Sequence, residues 1–316
     1  MPEPIVYTEH PVDVLGHAVR LQSEAQRVVL ITSVDIRGGA ARELGSLAVV
    51  SESGGMFGYM SNGCIDRDIR EQALSLLGSG KGAKTLRYGE GSPFFDLKLP
   101  CGGSLELLLD ADPDLATLRA AHRDLIARRS VCIDFRPPGG EEHISFEYAP
   151  KSRLAIAGRG AVFRATVQVA EASGFETLAY SPEEADLEAV AHLCAEEPVF
   201  LSTPRARQTL PLDRFSGFLT LFHDHDWEPE LLKSALMTET RFIGCLGSQK
   251  TQQLRLNNLR ADGVDPGSLE RINGPIGLVP SLRNAPSIAI SAIAEVVGRF
   301  PSSIRQVQEA DKRNAA

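Results

Sequence analysis

Two glycine-rich turns in the first half of the chain each hold a cysteine. Cys64 directly follows Gly63, and Cys101 directly precedes Gly102 and Gly103. Because glycine adopts positive φ without steric cost and lets a ligand come close to the backbone, both thiols are expected to be accessible to a ligand. A thiolate is a soft metal ligand. The alternative is that both cysteines are small apolar side chains that fill space beside tight turns, as unpaired cysteines usually do.

A third glycine turn follows a predicted strand in the second half of the chain. The strand over 153–157 runs into Gly158 and Gly160, and a helix follows. The N–H groups of such a turn and helix start would bind a pyrophosphate. However, Phe163 stands at the third glycine position, and the next strand ends at 180–182 in Tyr-Ser-Pro, where an NAD enzyme usually has an acidic residue for the ribose. The sequence therefore predicts a Rossmann-like fold without useful affinity for NAD.

Two further polar segments follow predicted strands, at the edge where doubly wound sheets bind ligands. His223 and Asp224 begin a His-Asp-His-Asp segment, which is either a metal site or a polar loop that caps the next helix. The polar loop is favoured because consecutive side chains point in different directions and the sequence contains no third cluster of ligands. Ser248 is expected to cap a helix and Lys250 to add positive charge there. This helix start is either an anion site or a capped helix with a solvated lysine.

Length and composition describe an ordinary globular chain. With 316 residues, the protein is larger than a single hydrophobic core usually grows, and two domains are expected. Its net charge of −8 argues against binding to nucleic acids and to anionic membranes. Five cysteines without a CxxC pair, and an N-terminus without a secretory signal, predict reduced thiols in the cytoplasm. No apolar run approaches the roughly 18 residues of a membrane span.

The hydrophobic pattern predicts an α/β protein, with a mixed α+β domain followed by a Rossmann-like parallel α/β domain. In the first half, the predicted elements are a helix over 11–26, a strand over 27–34, a polar loop over 35–42, a strand over 47–50, a hairpin turn at 54–55, a helix over 66–77 that stops at Gly78, a strand over 105–109, a helix over 113–129, and a hairpin of strands 131–135 and 144–146. In the second half, they are strands over 153–157, 177–180, 198–201, 218–223 and 242–246 and a last helix over 285–297. A boundary near Pro150 gives domains over 1–150 and 151–316.

Taken together and in this order, the motifs resemble those of the XdhC and CoxI family of bacterial molybdoenzyme accessory factors, over nearly the whole chain. They are the arginine-containing loop from Gly38 to Gly45, Gly63-Cys64-Ile65-Asp66, Cys101-Gly102-Gly103, the Gly158-x-Gly160 turn, the His-Asp-His-Asp segment, Ile243-Gly244-x-x-Gly247-Ser248 with Lys250, Pro275-Ile276-Gly277-Leu278, and Ile290-Ser291-Ala292-Ile293-Ala294-Glu295. The chain departs from the family pattern at 39–42, 62–64 and 285–287, which suggests a divergent branch that serves an aldehyde oxidoreductase.

The resemblance implies a chaperone rather than an enzyme. Such a protein receives the molybdenum cofactor, as molybdopterin or its cytosine dinucleotide form, and holds it while a sulfido ligand is installed. It then inserts the cofactor into an apo-molybdoenzyme of the xanthine dehydrogenase or aldehyde oxidoreductase type. A cysteine desulfurase and a cofactor nucleotidyltransferase are further implied partners, and a homodimer is the implied assembly.

The same resemblance suggests which residues hold the cofactor, an anionic phosphate ester with a soft metal centre. Cys64 and Cys101 would contact molybdenum, and Arg42 would pair with phosphate through its fork of donors. The implied cofactor-binding residues are Arg42, Gly63, Cys64, Cys101, Gly102, Gly103, Gly158, Gly160, His223, Asp224, Ser248 and Lys250.

Two other functions compete with the chaperone hypothesis. One is an NAD(P)-dependent oxidoreductase built on the second domain, with His223 as its proton donor. The missing acidic residue after the second strand of that domain argues against it. The other is a structural adaptor that binds the target enzyme without cofactor.

Overall fold

The computed structural model of the chain describes residues 4–90, 92, 102–139 and 143–307. The chain divides into two compact units, each described by itself below. Unit 1 consists of Met1–Pro150 and Ser302–Ala316, and unit 2 consists of Lys151–Pro301. Among the described residues, no helix combines the length and the hydropathy that a membrane span requires.

Unit 1 contains a six-stranded sheet with helices on both faces. Its elements are β1 (Ile5–Val6), α1 (Pro11–Ser23), β2 (Val28–Arg37), β3 (Leu47–Ser51), β4 (Met56–Phe57), α2 (Asp66–Ser79), β5 (Ala83–Gly89), β6 (Ser104–Asp110), α3 (Leu115–Ile126), β7 (Val131–Phe135) and β8 (Ile144–Tyr148). The strand order is β1-β4-β3-β2-β6-β5. Because successive side chains of a strand point to opposite faces, Val28 and Leu30 pack with α1 and α3, whereas Val29 and Ile31 pack with α2.

The strand directions in this sheet bring several loops to one edge. β2 runs antiparallel to β3 and β6, β5 is antiparallel to β6, β4 is antiparallel to β3, and β1 is parallel to β4. The carboxyl ends of β1, β2, β4 and β5 therefore lie at the same edge as the amino ends of β3 and β6. We call this the glycine edge. It carries residues 7–9, 38–46, 58–65 and 102–103.

Unit 2 is a parallel sheet with helices between its strands, which confirms the predicted Rossmann-like fold. Its elements are β9 (Arg153–Gly158), α4 (Gly160–Ala172), β10 (Glu176–Ser181), α5 (Glu184–Val190), β11 (Val199–Phe200), β12 (Ser216–Leu221), α6 (Glu228–Leu236), β13 (Phe242–Cys245), α7 (Gln249–Ala261), α8 (Pro266–Leu269), β14 (Ile272–Asn273) and α9 (Ala285–Val297). The strand order is β11-β10-β9-β12-β13-β14. The chain reverses direction across the sheet between β9 and β12, and ligands of such sheets bind beside that point.

The last described strand, β15 (Ile304–Val307), belongs to unit 1. It pairs antiparallel with β8, with Ile304 opposite Tyr148, and completes a small sheet of order β15-β8-β7. The prediction of one continuous second domain over 151–316 is therefore wrong for the C-terminal residues. Periodicity within the segment could not reveal this pairing, because the partner strand lies about half the chain away.

The structure also corrects the end of one strand and the end of one helix in unit 1, and it adds a strand. The strand β2 extends to Arg37, so the polar loop begins at Gly38 rather than at residue 35. Gly78 lies inside α2, and Gly80, with φ of +69°, ends the helix instead. The strand β5 was not predicted, since its sequence AKTLRYG has no clear alternation and is only partly buried.

Candidate functional site

The loop that carries Cys64 is folded around the carboxylate of Asp66. Asp66 is the first residue of α2, and its exposed fraction is 0%. Its Oδ1 accepts the N–H groups of Met60 at 2.8 Å and Ser61 at 3.1 Å, and its Oδ2 accepts the N–H of Gly63 at 2.6 Å. A buried carboxylate that accepts several backbone N–H groups fixes the path of the chain that donates them. Asp66 therefore anchors the loop between β4 and α2.

Cys64 lies on the outside of this loop, and its side chain is exposed. The turn before it uses positive φ at Asn62 (+56°) and Gly63 (+102°), which asparagine and glycine adopt most readily. The nearest atom to a Cβ at Gly63 would be the hydroxyl oxygen of Tyr7, at 3.9 Å. The backbone before the thiol is therefore open, and the alternative of a buried apolar filler is wrong for Cys64.

Arg42 is held by two residues of the same edge, Glu9 and Tyr59. Its Nη2 donates to the backbone oxygen of Glu9 at 2.7 Å, and its Nη1 lies 3.7 Å from the Glu9 carboxylate. Its guanidinium carbon lies 4.6 Å from the centroid of the Tyr59 ring, a cation–π contact. The Tyr59 hydroxyl donates to the Glu9 carboxylate at 2.5 Å. Burial raises the pKa of Tyr59, and this hydrogen bond raises it further. Because the Arg42 side chain is only 7% exposed, a phosphate would reach it only by displacing Glu9.

The two glycines of the Cys-Gly-Gly turn have different roles. A Cβ at Gly103 would lie 2.5 Å from the oxygen of Arg37 and 2.7 Å from that of Gly39, so Gly103 allows the turn to pack against the arginine-containing loop. A Cβ at Gly102 would meet no described atom within 4 Å, and Gly102 has φ of +67°. Gly102 therefore presents its backbone to open space. Cys101 itself lies outside the described residues.

This difference gives a matched pair of variants. We expect Gly103→Ala to lower the free energy of unfolding by about 3 kcal/mol, because the clash is with backbone that cannot rotate away. Gly102→Ala should cost only about 1 kcal/mol, since its penalty is the left-handed conformation alone. Urea unfolding of both variants beside the parent measures the difference. Equal stability of the two variants would contradict the close approach at Gly103.

The glycine edge thus brings together the predicted site residues of unit 1 that the structure describes, namely Arg42, Gly63, Cys64, Gly102 and Gly103. Sequence analysis missed Glu9, Tyr59 and the anchoring role of Asp66. For Asp66, a signal was available, because an acidic residue that follows a glycine turn closely and begins a helix is well placed to accept backbone N–H groups of that turn.

In unit 2, the two glycines of the predicted pyrophosphate turn are already engaged. A Cβ at Gly158 would lie 2.9 Å from the Cβ of Leu221, so Gly158 allows β9 and β12 to pack closely. Gly160 has φ of +75°, and no atom of the described residues lies within 4 Å of its Cβ position. Its N–H, however, donates to Oδ2 of Asp186 at 2.5 Å. Sequence analysis did not single out Asp186.

A groove of about 510 Å³ lies beside this turn, and we call it the switch-point groove. Its lining includes Arg159, Gly160, Arg164, Glu183, Asp186 and His223. Arg159 reaches Glu183 and Asp224, each at 3.8 Å. Glu183 comes two residues after β10, so an acidic side chain does follow the second strand of this unit. The predicted absence of such a residue therefore holds only for positions 180–182.

The His-Asp-His-Asp segment forms a polar loop after β12. The Asp224 side chain accepts the N–H of Asp226 at 3.2 Å and so caps a short 3₁₀ turn over His225–Trp227. Nδ1 of His225 lies 3.0 Å from the buried carboxylate of Glu228, which also pairs with the buried Arg255 at 2.9 Å. The described residues contain no group of three or more side chains arranged to hold a metal ion. The geometry thus favours the polar loop over a metal site.

Ser248 caps α7 as predicted. Its hydroxyl accepts the N–H of Thr251 at 3.1 Å, and Lys250 is exposed in the first turn. Gly247 before it has φ of +145°, and a Cβ there would lie 3.0 Å from Thr251. The Ser248 hydroxyl thus takes one of the free backbone N–H groups at the start of α7. The Lys250 ammonium group adds positive charge beside the remaining free N–H groups.

The other described cysteines differ from Cys64 in position. Cys132 is exposed in β7, a strand of the small sheet rather than of the six-stranded sheet, and Cys194 directly follows a 3₁₀ turn. Cys245 is fully buried at the end of β13, and burial raises the pKa of its thiol to about 12. Cys245 is therefore an inert core residue at neutral pH.

Comparison with known proteins agrees with this division into two units. The model of the XdhC and CoxI family matches residues 21–89, and the model of the XdhC Rossmann domain matches residues 154–296. The chain is also 33% identical over 98% of its length to the molybdenum cofactor insertion chaperone PaoD of Escherichia coli K12, of which it covers 93%. The chain belongs to the XdhC and CoxI family. Two of the family motifs in unit 2 contact each other, since Gly277 donates its N–H to Glu295 of α9 at 2.7 Å.

Two more distant relatives extend the comparison. The chain is 22% identical over 90% of its length to the uncharacterized protein YqeB of Escherichia coli K12, of which it spans 46%. A crystal structure of a Bacillus halodurans protein described as a xanthine dehydrogenase superposes with a TM-score of 0.73 at 21% identity, covering 91% of this chain and 95% of that one. At this identity, the likeness shows that the two chains share a fold and says nothing of the activity of this one.

Proposed function

We propose that the protein is a chaperone that binds the molybdenum cofactor and inserts it into an apo-molybdoenzyme. The observation that carries the proposal is its similarity, over nearly the full length of both chains, to a protein named as a molybdenum cofactor insertion chaperone. The glycine edge of unit 1 supports it independently, because an exposed thiol and open glycine backbone lie together there.

We place the metal end of the cofactor at the glycine edge, beside Cys64. Molybdenum is a soft centre that a thiolate would contact, and the open backbone at Gly63 and Gly102 leaves room for a flat ligand. Cys101, adjacent to Gly102 in sequence, is proposed as the second thiol. The role of Asp66 in this site is to position the loop and not to touch the cofactor.

The phosphate group has a candidate partner in unit 1, and unit 2 contains a separate candidate anion site. In unit 1, Arg42 would exchange its 3.7 Å contact with the exposed Glu9 carboxylate for a phosphate oxygen. In unit 2, the start of α7 offers free N–H groups beside Ser248 and Lys250. We leave Gly158 and Gly160 out of the phosphate site, because one packs against Leu221 and the other already donates to Asp186.

The finer features of the proposal follow from family resemblance. They are binding of the cytosine dinucleotide form, retention of the cofactor while a cysteine desulfurase supplies the sulfido ligand, contact with a cofactor nucleotidyltransferase, and a target of the xanthine dehydrogenase or aldehyde oxidoreductase type. A homodimer in the cytoplasm remains the expected assembly and location. His223 and Asp224 remain candidate contacts for the cofactor, since both are exposed beside the switch-point groove.

The proposal is tested on protein purified from cells that make the cofactor. We expect the protein to retain molybdenum and an oxidisable pterin in equimolar amounts, read by metal analysis and by the fluorescence of the oxidised pterin. Release of CMP on acid hydrolysis would identify the dinucleotide form. Protein made in cells that lack cofactor synthesis is the control. Absence of pterin where the cofactor is abundant would refute the chaperone function.

A further inference from the structure

The start of α4 in unit 2 is occupied by a carboxylate of the protein itself. Asp186, in the first turn of α5, has a side chain only 5% exposed. One of its oxygens accepts the N–H of Gly160 at 2.5 Å, and the other accepts Nε–H of Arg164 at 2.5 Å. Asp186 therefore makes the two contacts that a nucleotide phosphate would make at this turn, one with a helix N-terminus and one with a guanidinium group.

Both guanidinium groups beside this position pair with carboxylates of the protein. Arg164 pairs with Asp186, and Arg159 lies between Glu183 and Asp224. The switch-point groove has the size of a ligand pocket, yet its two guanidinium groups face three carboxylates. A phosphate that bound at this turn would lie beside the Asp186 carboxylate, at the N–H of Gly160. Two negative charges so close together repel each other strongly in a partly buried site.

We propose that Asp186 is a specificity-determining residue that closes the dinucleotide turn of unit 2 to phosphate, so that the switch-point groove rejects NAD, ADP and related anions despite its Rossmann geometry. The carboxylate takes over the helix N-terminus that these ligands require. The proposal concerns the glycine turn at the start of α4, which the proposed cofactor site leaves out, and it does not depend on the chaperone function.

The test measures binding of ADP and of inorganic pyrophosphate to the full chain by calorimetry. We expect the parent to bind neither at low millimolar concentration. Asp186→Ala frees the Gly160 N–H and Arg164 together and should bind ADP at least about tenfold more tightly than the parent. Asp186→Asn keeps the size of the side chain and an acceptor for Gly160 but removes the charge. It should give a smaller gain, and it carries the test if Asp186→Ala does not fold.

The matched control is Glu183→Gln. This change removes a carboxylate from the same groove, but one that pairs with Arg159 and does not contact the α4 N-terminus. Its ADP affinity should change less than about threefold. The proposal is overturned if the parent binds ADP as tightly as Asp186→Ala does, or if folded Asp186 variants gain nothing over the parent. A gain in Glu183→Gln equal to that in Asp186→Ala would also overturn it, because general charge in the groove would then explain the rejection.

Discussion

Replacing Cys64 with serine is expected to lower the cofactor retained by the protein by more than about tenfold, or ~1.4 kcal/mol of binding free energy. The change exchanges a soft, ionisable thiol for a hard hydroxyl of similar size. Because the side chain is exposed and the loop is held by Asp66 rather than by the sulfur, the melting temperature should barely change. Bound pterin per folded molecule and thermal unfolding are the two measurements. Cys101→Ser is expected to behave in the same way.

Cys132→Ser is the matched control for Cys64→Ser. Its side chain is also exposed, but it lies in β7 of the small sheet and belongs to none of the loops of the glycine edge. Cys194→Ser is a second control, at a partly buried site where burial raises the thiol pKa. Both should retain cofactor like the parent. If Cys64→Ser also retained it fully, the proposed metal end of the site would be wrong, although the chaperone function could still hold.

Replacing Asp66 with alanine is expected to lower the free energy of unfolding of unit 1 by about 3 kcal/mol or more. The variant leaves the N–H groups of Met60, Ser61 and Gly63 without their acceptor, and each buried donor left unpaired costs about 1–3 kcal/mol. Trp227, the one tryptophan of the chain, lies in unit 2. Its fluorescence should therefore report an unchanged unit 2, while far-UV circular dichroism reports early loss of unit 1.

Two further variants separate the anchoring role of Asp66 from a general effect of charge. Asp66→Asn keeps one oxygen for Met60 and Ser61 but turns its amide N–H₂ toward Gly63, so an intermediate loss is expected. Glu71→Ala removes an exposed acidic residue from the same helix and should change stability by less than about 0.5 kcal/mol. An Asp66→Ala variant as stable as Glu71→Ala would disprove the anchor.

The fold was largely predictable from the sequence, and the exceptions have physical causes. Alternating strands and helices indicated the parallel sheet of unit 2, and the final helix was predicted with its observed bounds. The strand β5 was missed because it is only partly buried in the sheet. Its sequence therefore lacks the clear alternation of apolar and polar residues that marks a strand with one buried face. Gly78 was taken as a helix stop, although only Gly80 adopts the left-handed conformation that ends α2.

The candidate site was predictable in part. The residues that sequence analysis missed contact residues that are far away along the chain. Cys64 and its glycine turn were visible locally. The contact of Arg42 with Glu9 spans 33 positions, and that of Asp186 with Gly160 spans 26, so no local motif could indicate either. The argument from sequence against NAD binding was incomplete for the same reason. It considered the residues at the end of β10 but not Asp186, whose carboxylate accepts the N–H of Gly160.

The return of β15 to unit 1 has a consequence for how the chain is made and how it can be cut. During translation, β8 remains without its neighbouring strand β15 until the whole of unit 2 has been synthesised. A fragment that stops at residue 150 would leave β8 as an open strand edge, a template for pairing between molecules. The N–H of Ala149 donates to the oxygen of Ser303 at 2.7 Å. The place where the chain leaves unit 1 and the place where it returns to unit 1 are therefore adjacent. Excising 151–301 and joining the ends with a short linker would keep β15 as the partner of β8, whereas truncation at residue 150 would remove it.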